Sequence, residues 1–492
     1  MCSDNTIKKW LLINPPTGKY MRETRCQAPL KGIIAAYLRP PLDLAYIAGS
    51  VCYHGDQCNI IDYPAEKKTW NNFKKDLLSF NPDYLVVNTT GFTISDDLIA
   101  CKIAKSINTK IMTLAKGAVF YHEYLKIFNE CKELDVAVIN DEEMGFGDIA
   151  GGKKLYEIAG IIYRSGEEII NNPQRAYICL DDLPEPRRDL INNKLYKRSD
   201  TGEIQTSILI GRGCNGGCIF CVAPLVNGNK CRYRSIKSVI NEIDVCINRY
   251  NIRSFTFYAD TFTWDREWVN KFCLYIIDKN IKISWLCNSR VDCLDEDILI
   301  LMKKAGCWGI SIGVESGSQL ILDKINKRIT LNQVSNTVHI CRKHKIVTLL
   351  HFMIGFPWDS KDTIITTIKF AKQLGSTLVD FNIVTPFSGT PLWTLLQNYN
   401  LILENASLKK SNYQKSIIKT FYLNHNELEH YRNKAINSFY LNYRFITNAL
   451  VYIKSLKHFT KCGIVLFNKM YWILLTALKY KMIYYFHMKG RK

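Results

Sequence analysis

The first 140 residues of the chain alternate short apolar runs with segments of helical spacing. The helical segments include LDLAYIAGSVCYHG (42–55) and SDDLIACKIAKSIN (95–108). Strands that alternate with helices in this way indicate βαβ units around a buried parallel sheet, which is a doubly wound α/β domain. The predicted strands are WLLINPP (10–16), CNIIDY (58–63), YLVVNTT (84–90), KIMTLAKG (110–117) and DVAVIN (135–140).

The turns of this first domain, which we place at residues 1–150, are candidate binding positions. Ligands of a doubly wound sheet bind beyond the carboxyl ends of its strands. The turns after Asn14, Thr90 and Gly117 lie at such ends.

Residues 151–204 do not continue this pattern. AGIIYRSGEEIINNP (159–173) has two apolar runs on either side of a Ser-Gly pair, which indicates a hairpin. DDLPEPRRDL (181–190) contains two prolines and is typical of an extended linker. We therefore predict a hairpin and a linker between two larger units.

A second alternation of strands and helices runs over residues 205–400. Its apolar runs are separated by helical segments such as DEDILILMKKAG (295–306). Units of this spacing predict an incomplete (β/α)6 barrel, with its site at the carboxyl ends of the strands. The predicted strands are 206–211, 254–260, 284–290, 308–316, 347–357 and 378–386, and the residues at their ends are Cys214, Asp260, Arg290, Glu315, Gly355 and Pro386.

Length and cysteine content predict the number of domains and the cellular location. The 492 residues are too many for one ordinary core, which agrees with two or more domains. The 18 cysteines are scattered, and the N-terminal apolar run is too short for a secretory signal. Free thiols and metal ligands are then expected rather than disulfides, and we predict a cytoplasmic protein.

The net charge of +20 is concentrated at the C-terminus. From His430 to the end, the chain has 12 Lys and Arg and no Asp or Glu. The longest apolar run there, 470–478, is far shorter than the roughly 20 residues of a membrane-spanning helix. The region 401–492 is predicted to be helical, basic and apolar. It is either a tail lying on the inner face of an anionic membrane or a helical cap with solvated lysines.

The stretch ILIGRGCNGGCIFC (208–221) carries two overlapping patterns. A dinucleotide-binding loop needs a helix after its glycines and an acid about 20 residues later. Here Pro224 follows, and Glu242 lies within a helical pattern, which disfavours that interpretation. A structural zinc site needs four ligands, and Cys231 could supply the fourth, although the spacing is unusual for zinc. The glycines are Gly211, Gly213 and Gly216, and the cysteines are Cys214, Cys218 and Cys221.

Three cysteines at C-x-x-x-C-x-x-C spacing can instead bind three corners of a cubane iron–sulfur cluster and leave one iron open. Together with a six-unit partial barrel, the motif resembles the radical S-adenosylmethionine (SAM) superfamily over about residues 205–400. The resemblance implies that the open iron of a [4Fe-4S] cluster binds SAM. It also implies that reductive cleavage then gives a 5′-deoxyadenosyl radical, with a flavodoxin-type or ferredoxin-type electron donor.

The resemblance assigns roles to individual residues. Cys214, Cys218 and Cys221 would be the catalytic cluster ligands. Asp260 matches the polar end of the second strand, although Ala259 replaces the first of two acids found there in many relatives. The residues implied to contact SAM are Phe220, Asp260, Arg290, Glu315, Ser316, Gly355, Phe356 and Pro357.

The N-terminal half resembles the Rossmann-like cobalamin-binding domain that is fused to radical SAM barrels. The stretches that carry the likeness are LLINPP (11–16), RPPLDLAYIAG (39–49) and IIDY (60–63). The family's glycine-rich GG-x-H region reads AKGAVF (115–120) and its GEGE reads NDEE (140–143), and the D-x-H-x-x-G loop is absent. The implied cobalamin contacts are Asn14, Thr89, Thr90, Gly91 and Gly117.

This combination implies methylation or C–C bond formation at an unactivated carbon of a small molecule, either lipid-like or a tetrapyrrole. Alternatives are a ring-forming cyclase without methyl transfer, a methylthiotransferase-like enzyme that modifies RNA, and a scaffold with a degenerate site. The intact cysteine triplet disfavours the scaffold. Nucleic acid is disfavoured because the C-terminal region is aromatic and helical rather than a β-barrel.

Overall fold

The computed structural model describes residues 7–23, 27–31, 37–198, 200–404 and 406–441. The predicted basic tail lies outside the described residues from position 442 onward. Within the described part of the chain, no helix combines the length and the apolar character needed to cross a membrane.

The N-terminal unit is built on a seven-stranded sheet, and all five strands predicted for it are present. Its order is β4-β1-β5-β6-β7-β8-β9, parallel from β4 to β7. The strands of this sheet are β1 Lys9–Asn14, β4 Gln57–Asp62, β5 Tyr84–Asn88, β6 Met112–Lys116, β7 Val136–Val138, β8 Ile161–Ser165 and β9 Glu168–Asn171. A separate antiparallel pair is formed by β2 Tyr20–Arg22 and β3 Gln27–Pro29. The helices are α1 Leu42–Tyr53, α2 Trp70–Phe80, α3 Ile94–Asp97, α4 Ile99–Ile107, α5 Phe120–Glu130 and α6 Glu142–Ala150.

Strand β1 shows why this sheet is covered on both faces. Successive side chains of a strand point to opposite faces. Leu11 and Ile13 pack into the core that holds Phe73 of α2, whereas Trp10 and Leu12 pack into a second core formed with α1 and α6. A strand that is apolar at every position therefore lies between two layers of helices, as the continuous run of apolar residues predicts.

The hairpin at 161–171 does not stand apart from the first domain. Strand β8 pairs antiparallel with β7, and β9 pairs with β8, so the sheet continues beyond residue 150. The linker differs from the extended form that its prolines indicate. It forms short 3-10 helices at Leu180–Asp182, Arg188–Leu190 and Asn193–Leu195. Arg188 is fully buried and donates hydrogen bonds to Thr206 Oγ1 (2.6 Å) and to the Ser207 carbonyl (2.7 Å).

The second unit is the predicted partial barrel, a six-stranded sheet ordered β10-β13-β14-β15-β16-β17 and parallel throughout. Six barrel helices are capped at their N-terminus by a Ser, Thr or Asp. The side chain of each cap accepts a hydrogen bond from the backbone amide three residues later. The strands of this sheet are β10 Gln205–Leu209, β13 Ser254–Tyr258, β14 Ser284–Ser289, β15 Cys307–Glu315, β16 Val347–Ile354 and β17 Leu378–Ile383. A separate antiparallel pair is formed by β11 Gly211–Arg212 and β12 Arg232–Tyr233. The helices are α7 Ala223–Asn227, α8 Ile236–Tyr250, α9 Arg266–Asp278, α10 Glu296–Lys304, α11 Gln319–Lys324, α12 Leu331–Lys343, α13 Lys361–Leu374, α14 Pro391–Asn398, α15 Leu408–Ser411 and α16 His425–Tyr440, and a 3-10 helix covers Val291–Cys293.

The last described helix, α16, packs beside β17. The Tyr440 hydroxyl accepts from the Val379 amide (3.0 Å) and donates to the Val379 carbonyl (2.7 Å). Arg432 is buried and donates to the Phe381 carbonyl (2.9 Å). This part of the basic C-terminal region therefore belongs to the barrel core, and the charge of Arg432 is not on the surface as the charge pattern predicts.

Candidate active site

The three motif cysteines lie in a loop, residues 213–231, whose two ends are joined by the antiparallel pair β11 and β12. Asp260, at the end of β13, fixes this loop. Its Oδ2 accepts from the Gly213 amide (2.6 Å) and from Asn227 Nδ2 (3.0 Å). The Cys214 amide donates to the Gly228 carbonyl (3.1 Å). Asp260, which the resemblance assigns to SAM, thus has contacts that order the cysteine loop.

Donors surround the three sulfur atoms. The Gly216 amide lies 3.4 Å from Cys214 Sγ, the Ala223 amide 3.4 Å from Cys221 Sγ, and Arg290 Nη1 3.7 Å from Cys218 Sγ. Burial raises the pKa of the Cys218 thiol, and the positive charges of Lys327 and Arg290 oppose that rise. These groups are suited to stabilise thiolates.

The loop carries three candidate sulfur ligands. All three cysteines are partly buried. Within the part of the chain that the structure describes, no three His, Cys, Asp or Glu side chains are grouped closely enough for one metal ion. A cubane binds each thiolate to a different iron, so its ligands stand farther apart. A Cβ added at Gly216 would lie 3.1 Å from Arg290 Nη1 and 3.3 Å from Cys214 Sγ, so a side chain there would fit only if these neighbours moved slightly.

The predicted SAM contacts Arg290, directly after β14, and Glu315, at the end of β15, make ion pairs. Arg290 donates to both carboxylate oxygens of Asp292 (3.0 and 2.9 Å) and to the Lys327 carbonyl (2.7 Å). Glu315 accepts from Lys327 Nζ at 2.8 Å, and both side chains are buried. Neither Asp292 nor Lys327 was predicted from the sequence. Ser316 is buried and lies 3.1 Å from Thr367 Oγ1.

The IGFP turn (354–357) is held from within. The amides of Gly355 and Phe356 donate to Asp359 Oδ2 at 2.9 and 3.1 Å. The Phe356 ring lies 5.5 Å from the ring of Phe220, the aromatic residue in the cysteine motif. The Pro357 carbonyl accepts from the Phe421 amide (2.9 Å). The turn is therefore next to the cysteine loop, but these two amides are bonded to Asp359.

Asp359 gives a pH-dependent prediction. Burial raises its pKa to about 6, against the two backbone amides, which lower it. The protonated form is then favoured by folding, so its contribution to stability is present below about pH 4 and is lost as the pH rises through about 6. Between pH 4 and 7 the wild-type chain should lose about 2 kcal/mol of unfolding free energy relative to Asp359→Asn in urea titrations. Asp362→Asn, at an exposed position, should follow the wild type, and equal pH profiles for wild type and Asp359→Asn would contradict the assignment.

The predicted cobalamin contacts lie together at one edge of the first sheet. Asn88 Nδ2 donates to Asn14 Oδ1 (2.9 Å), and Thr89 Oγ1 donates to the Lys116 carbonyl (2.8 Å). The Thr90 amide donates to Asp97 Oδ2 (3.1 Å), and the Gly91 amide donates to Gln27 Oε1 (2.8 Å). The structure thus brings these residues to one edge of the sheet, where they also form hydrogen bonds with other protein groups.

Gly117 is required by close packing at this edge. Its φ is +151°, and a Cβ would lie 2.5 Å from Thr89 Oγ1. We expect Gly117→Ala to lower the free energy of unfolding by about 2 kcal/mol, with part of the loss recovered in Gly117→Ala/Thr89→Ala. Gly166→Ala, at φ +60° with no atom within 4 Å of the added Cβ, should cost about 1 kcal/mol. Thermal unfolding measures all three, and equal losses for the two glycine positions would contradict the packing argument.

A charged cluster missed by the sequence analysis stands between the two units. Lys116 is fully buried and lies 2.9 Å from Asp43 Oδ2 and 3.0 Å from Glu142 Oε2. Burial raises the pKa of Glu142 to about 7, and Lys116 opposes the rise. The cluster borders a small cavity of about 20 Å³ between the sheet edge and the cysteine loop, lined by Asp43, Tyr121, Asp141, Glu142, Arg212, Val226, Asn227 and Tyr258.

Comparison with known proteins agrees with this arrangement. Residues 208–371 match the model of the radical SAM superfamily. A protein of Pyrococcus horikoshii named as an uncharacterized methyltransferase is 32% identical over 404 residues, which cover 81% of this chain and 85% of that relative. The chain belongs to the radical SAM superfamily.

Two further matches extend over both units. The anaerobic magnesium-protoporphyrin IX monomethyl ester cyclase of Cereibacter sphaeroides is 25% identical over 408 residues, covering 79% of this chain and 65% of the cyclase. The radical SAM methyltransferase TsrM of Kitasatospora setae, solved with cobalamin and a [4Fe-4S] cluster bound, superposes with a TM-score of 0.64 at 15% identity, covering 80% of this chain and 75% of TsrM. The predicted fold, a cobalamin-binding type of domain followed by a radical SAM partial barrel, is confirmed.

Proposed function

We propose that the protein is a cobalamin-dependent radical SAM enzyme that methylates, or forms a C–C bond at, an unactivated carbon of a small molecule. The observation that carries the proposal is the placement of the cysteine loop. The three motif cysteines follow the carboxyl end of the first barrel strand, and a small cavity next to their loop is lined by residues of both units.

Cys214, Cys218 and Cys221 would hold a [4Fe-4S] cluster, and Arg290, Glu315 and the IGFP turn are the residues next to that loop that would hold SAM. When bound, the cluster would supply the electron that cleaves SAM to methionine and a 5′-deoxyadenosyl radical. The guanidinium of Arg290 is suited to bind a carboxylate while it also faces Cys218. Lys327 donates to Glu315 and orients its carboxylate within the barrel.

Cobalamin is proposed to bind at the carboxyl edge of the first sheet, across the small cavity from the cysteine loop. The solved neighbour TsrM carries it together with a cluster, and the same two-unit fold is present here. The sheet edge at Asn14, Thr89–Gly91 and Gly117 lies at the carboxyl ends of the parallel strands, where ligands of such sheets bind. The polar cluster of Lys116, Asp43 and Glu142 would lie at the border of that group.

The substrate class is proposed to be a lipid-like or tetrapyrrole small molecule. The names of the relatives, a methyltransferase and a protoporphyrin ester cyclase, support a carbon centre of a small organic molecule. An external flavodoxin or ferredoxin is proposed as the electron donor.

The proposal is tested by anaerobic reconstitution with iron, sulfide and hydroxocobalamin, followed by incubation with SAM and a chemical reductant. We expect the absorption spectrum of the reconstituted protein to show both the iron–sulfur cluster and cobalamin. We also expect the protein to form 5′-deoxyadenosine from SAM. Methyl transfer should add S-adenosylhomocysteine, whereas a cyclase without methyl transfer should give 5′-deoxyadenosine alone. Iron–sulfur absorption without bound cobalamin would overturn the cobalamin half, and absence of both SAM products would overturn the enzyme assignment.

A further inference from the structure

The cysteine loop is closed by a ribbon with an unfavourable charge arrangement. Strands β11 and β12 have two residues each, and their register places Arg212 directly opposite Arg232. Like charges opposite each other destabilise an antiparallel pair, and two-stranded ribbons are marginal on their own. The ribbon that holds both ends of the loop therefore needs opposite charge from elsewhere.

That charge comes from the first domain, at the start of α6. Arg212 donates to Asp141 Oδ1 (3.0 Å) and to both oxygens of Glu143 (2.5 and 3.1 Å). Arg232 donates to Asp141 Oδ2 (3.0 Å) and to the Ile178 carbonyl (2.8 Å). The Asp141 and Glu143 side chains are only 2% and 3% exposed. Two buried acids thus face two arginines, and each pair links the two domains.

The backbone that presents these acids is fixed in an uncommon conformation. Asn140 and Asp141 have φ values of 61° and 44°, in the left-handed region. Such residues persist where surrounding contacts fix them. The Asn140 amide donates to the Tyr121 hydroxyl (2.7 Å), and Asp141 Oδ2 also accepts from the Ile178 amide (2.9 Å). The position of the acids is therefore set by the first domain, independently of the ribbon.

We propose that Asp141 and Glu143 are positioning residues for the cysteine loop. By neutralising Arg212 and Arg232, they hold the two ends of the loop together and so set the spacing of the three thiols. The first domain is then part of the cluster-binding apparatus of this chain, in addition to its proposed role in binding cobalamin. The statement about the cluster rests on the proposed function, whereas the statement about the loop does not.

Hydrogen–deuterium exchange of the metal-free, full-length protein tests the loop directly. In Glu143→Gln and Asp141→Asn, amides in residues 211–233 should exchange about tenfold faster or more than in the wild type. Asp148→Asn is the matched control, because Asp148 lies on the same helix and pairs with Arg175 and Lys153 instead of with an arginine of the ribbon. It should leave the exchange of 211–233 unchanged. Wild-type exchange in Glu143→Gln, or equally fast exchange in Asp148→Asn, would overturn the proposal.

Reconstitution then tests the consequence for the cluster. Glu143→Gln should bind less iron per chain than the wild type and change the electron paramagnetic resonance spectrum of the reduced cluster, while Glu143→Asp, which keeps the charge, should restore part of both. If the wild type itself binds no cluster, the proposed function fails, and the exchange result still decides whether the acids hold the loop. If Asp141→Asn does not fold, Glu143→Gln decides, because the Arg232 side of the contact stays intact in that variant.

Discussion

Replacement of Cys218 by alanine should abolish both the iron–sulfur absorption of the reconstituted protein and the formation of 5′-deoxyadenosine from SAM. Cys218 lies between the other two motif cysteines in sequence, and its sulfur faces Arg290. With two thiolates left, a cubane would have two iron corners without protein ligands, and it should not survive gel filtration. Iron content, absorption spectra and chromatography of the SAM products measure the effect.

Cys231 provides the matched control for this experiment. It lies in the same loop and is partly buried, and burial raises its pKa to about 11. The nearby Asp260 and Asp265 add to that rise, whereas Lys327 and Arg290 oppose the rise at Cys218, so Cys231 is less suited to act as a thiolate. Cys231→Ser should keep the wild-type iron content and turnover. A loss of iron in Cys231→Ser equal to that in Cys218→Ala would favour a four-cysteine site, and retained turnover in Cys218→Ala would contradict the cluster assignment.

Replacement of Glu242 by glutamine should destabilise the chain by about 3–5 kcal/mol, because it leaves two buried arginines without a counter-charge. Glu242 pairs with Arg188 of the linker and Arg234 of the barrel, and all three side chains are less than a tenth exposed. Its Oε2 also lies 3.2 Å from the hydroxyl of Tyr46 on α1. One carboxylate therefore joins the first domain, the linker and the barrel.

The pH dependence of this effect follows from the same contacts. Burial alone would raise the pKa of Glu242, but Arg188 and Arg234 outweigh it, so the pKa is lowered. The stability that Glu242 contributes is present above its unfolded pKa, about 4.3, and is lost as the pH falls through the lower folded value. The difference between wild type and Glu242→Gln in urea unfolding should therefore shrink in acid. Glu267→Gln, which removes an exposed ion pair with Lys271, should leave the unfolding midpoint unchanged, and a Glu242→Gln midpoint equal to the wild-type value would contradict the argument.

The strands could be predicted because burial on both faces leaves a direct mark on the sequence. Strand β1 is apolar at Trp10 to Ile13 since each side chain meets a layer of helices. The barrel strands were found in the same way, and the three cysteines by their spacing alone. The hairpin could be recognised from its turn, but its pairing with β7 could not, because the partner of an edge strand leaves no local pattern.

Most contacts of the candidate site could not be predicted from the sequence, because the paired residues lie far apart along the chain. Arg212 and Glu143 are 69 residues apart, and Arg232 and Asp141 are 91 residues apart. Such pairs depend on how two domains meet, which no periodicity encodes. The individual roles of the predicted SAM and cobalamin residues stay predictions.

The position of α16 beside β17 has a consequence for shortened versions of the chain. Strand β17 is the last of the barrel sheet, and its outer backbone groups at Val379 and Phe381 bond to Tyr440 and Arg432 instead of to another strand. Removal of the chain from residue 424 onward would leave these groups unpaired along an open sheet edge. Such an edge is a template for pairing with a second molecule, so a shortened barrel is expected to self-associate and precipitate.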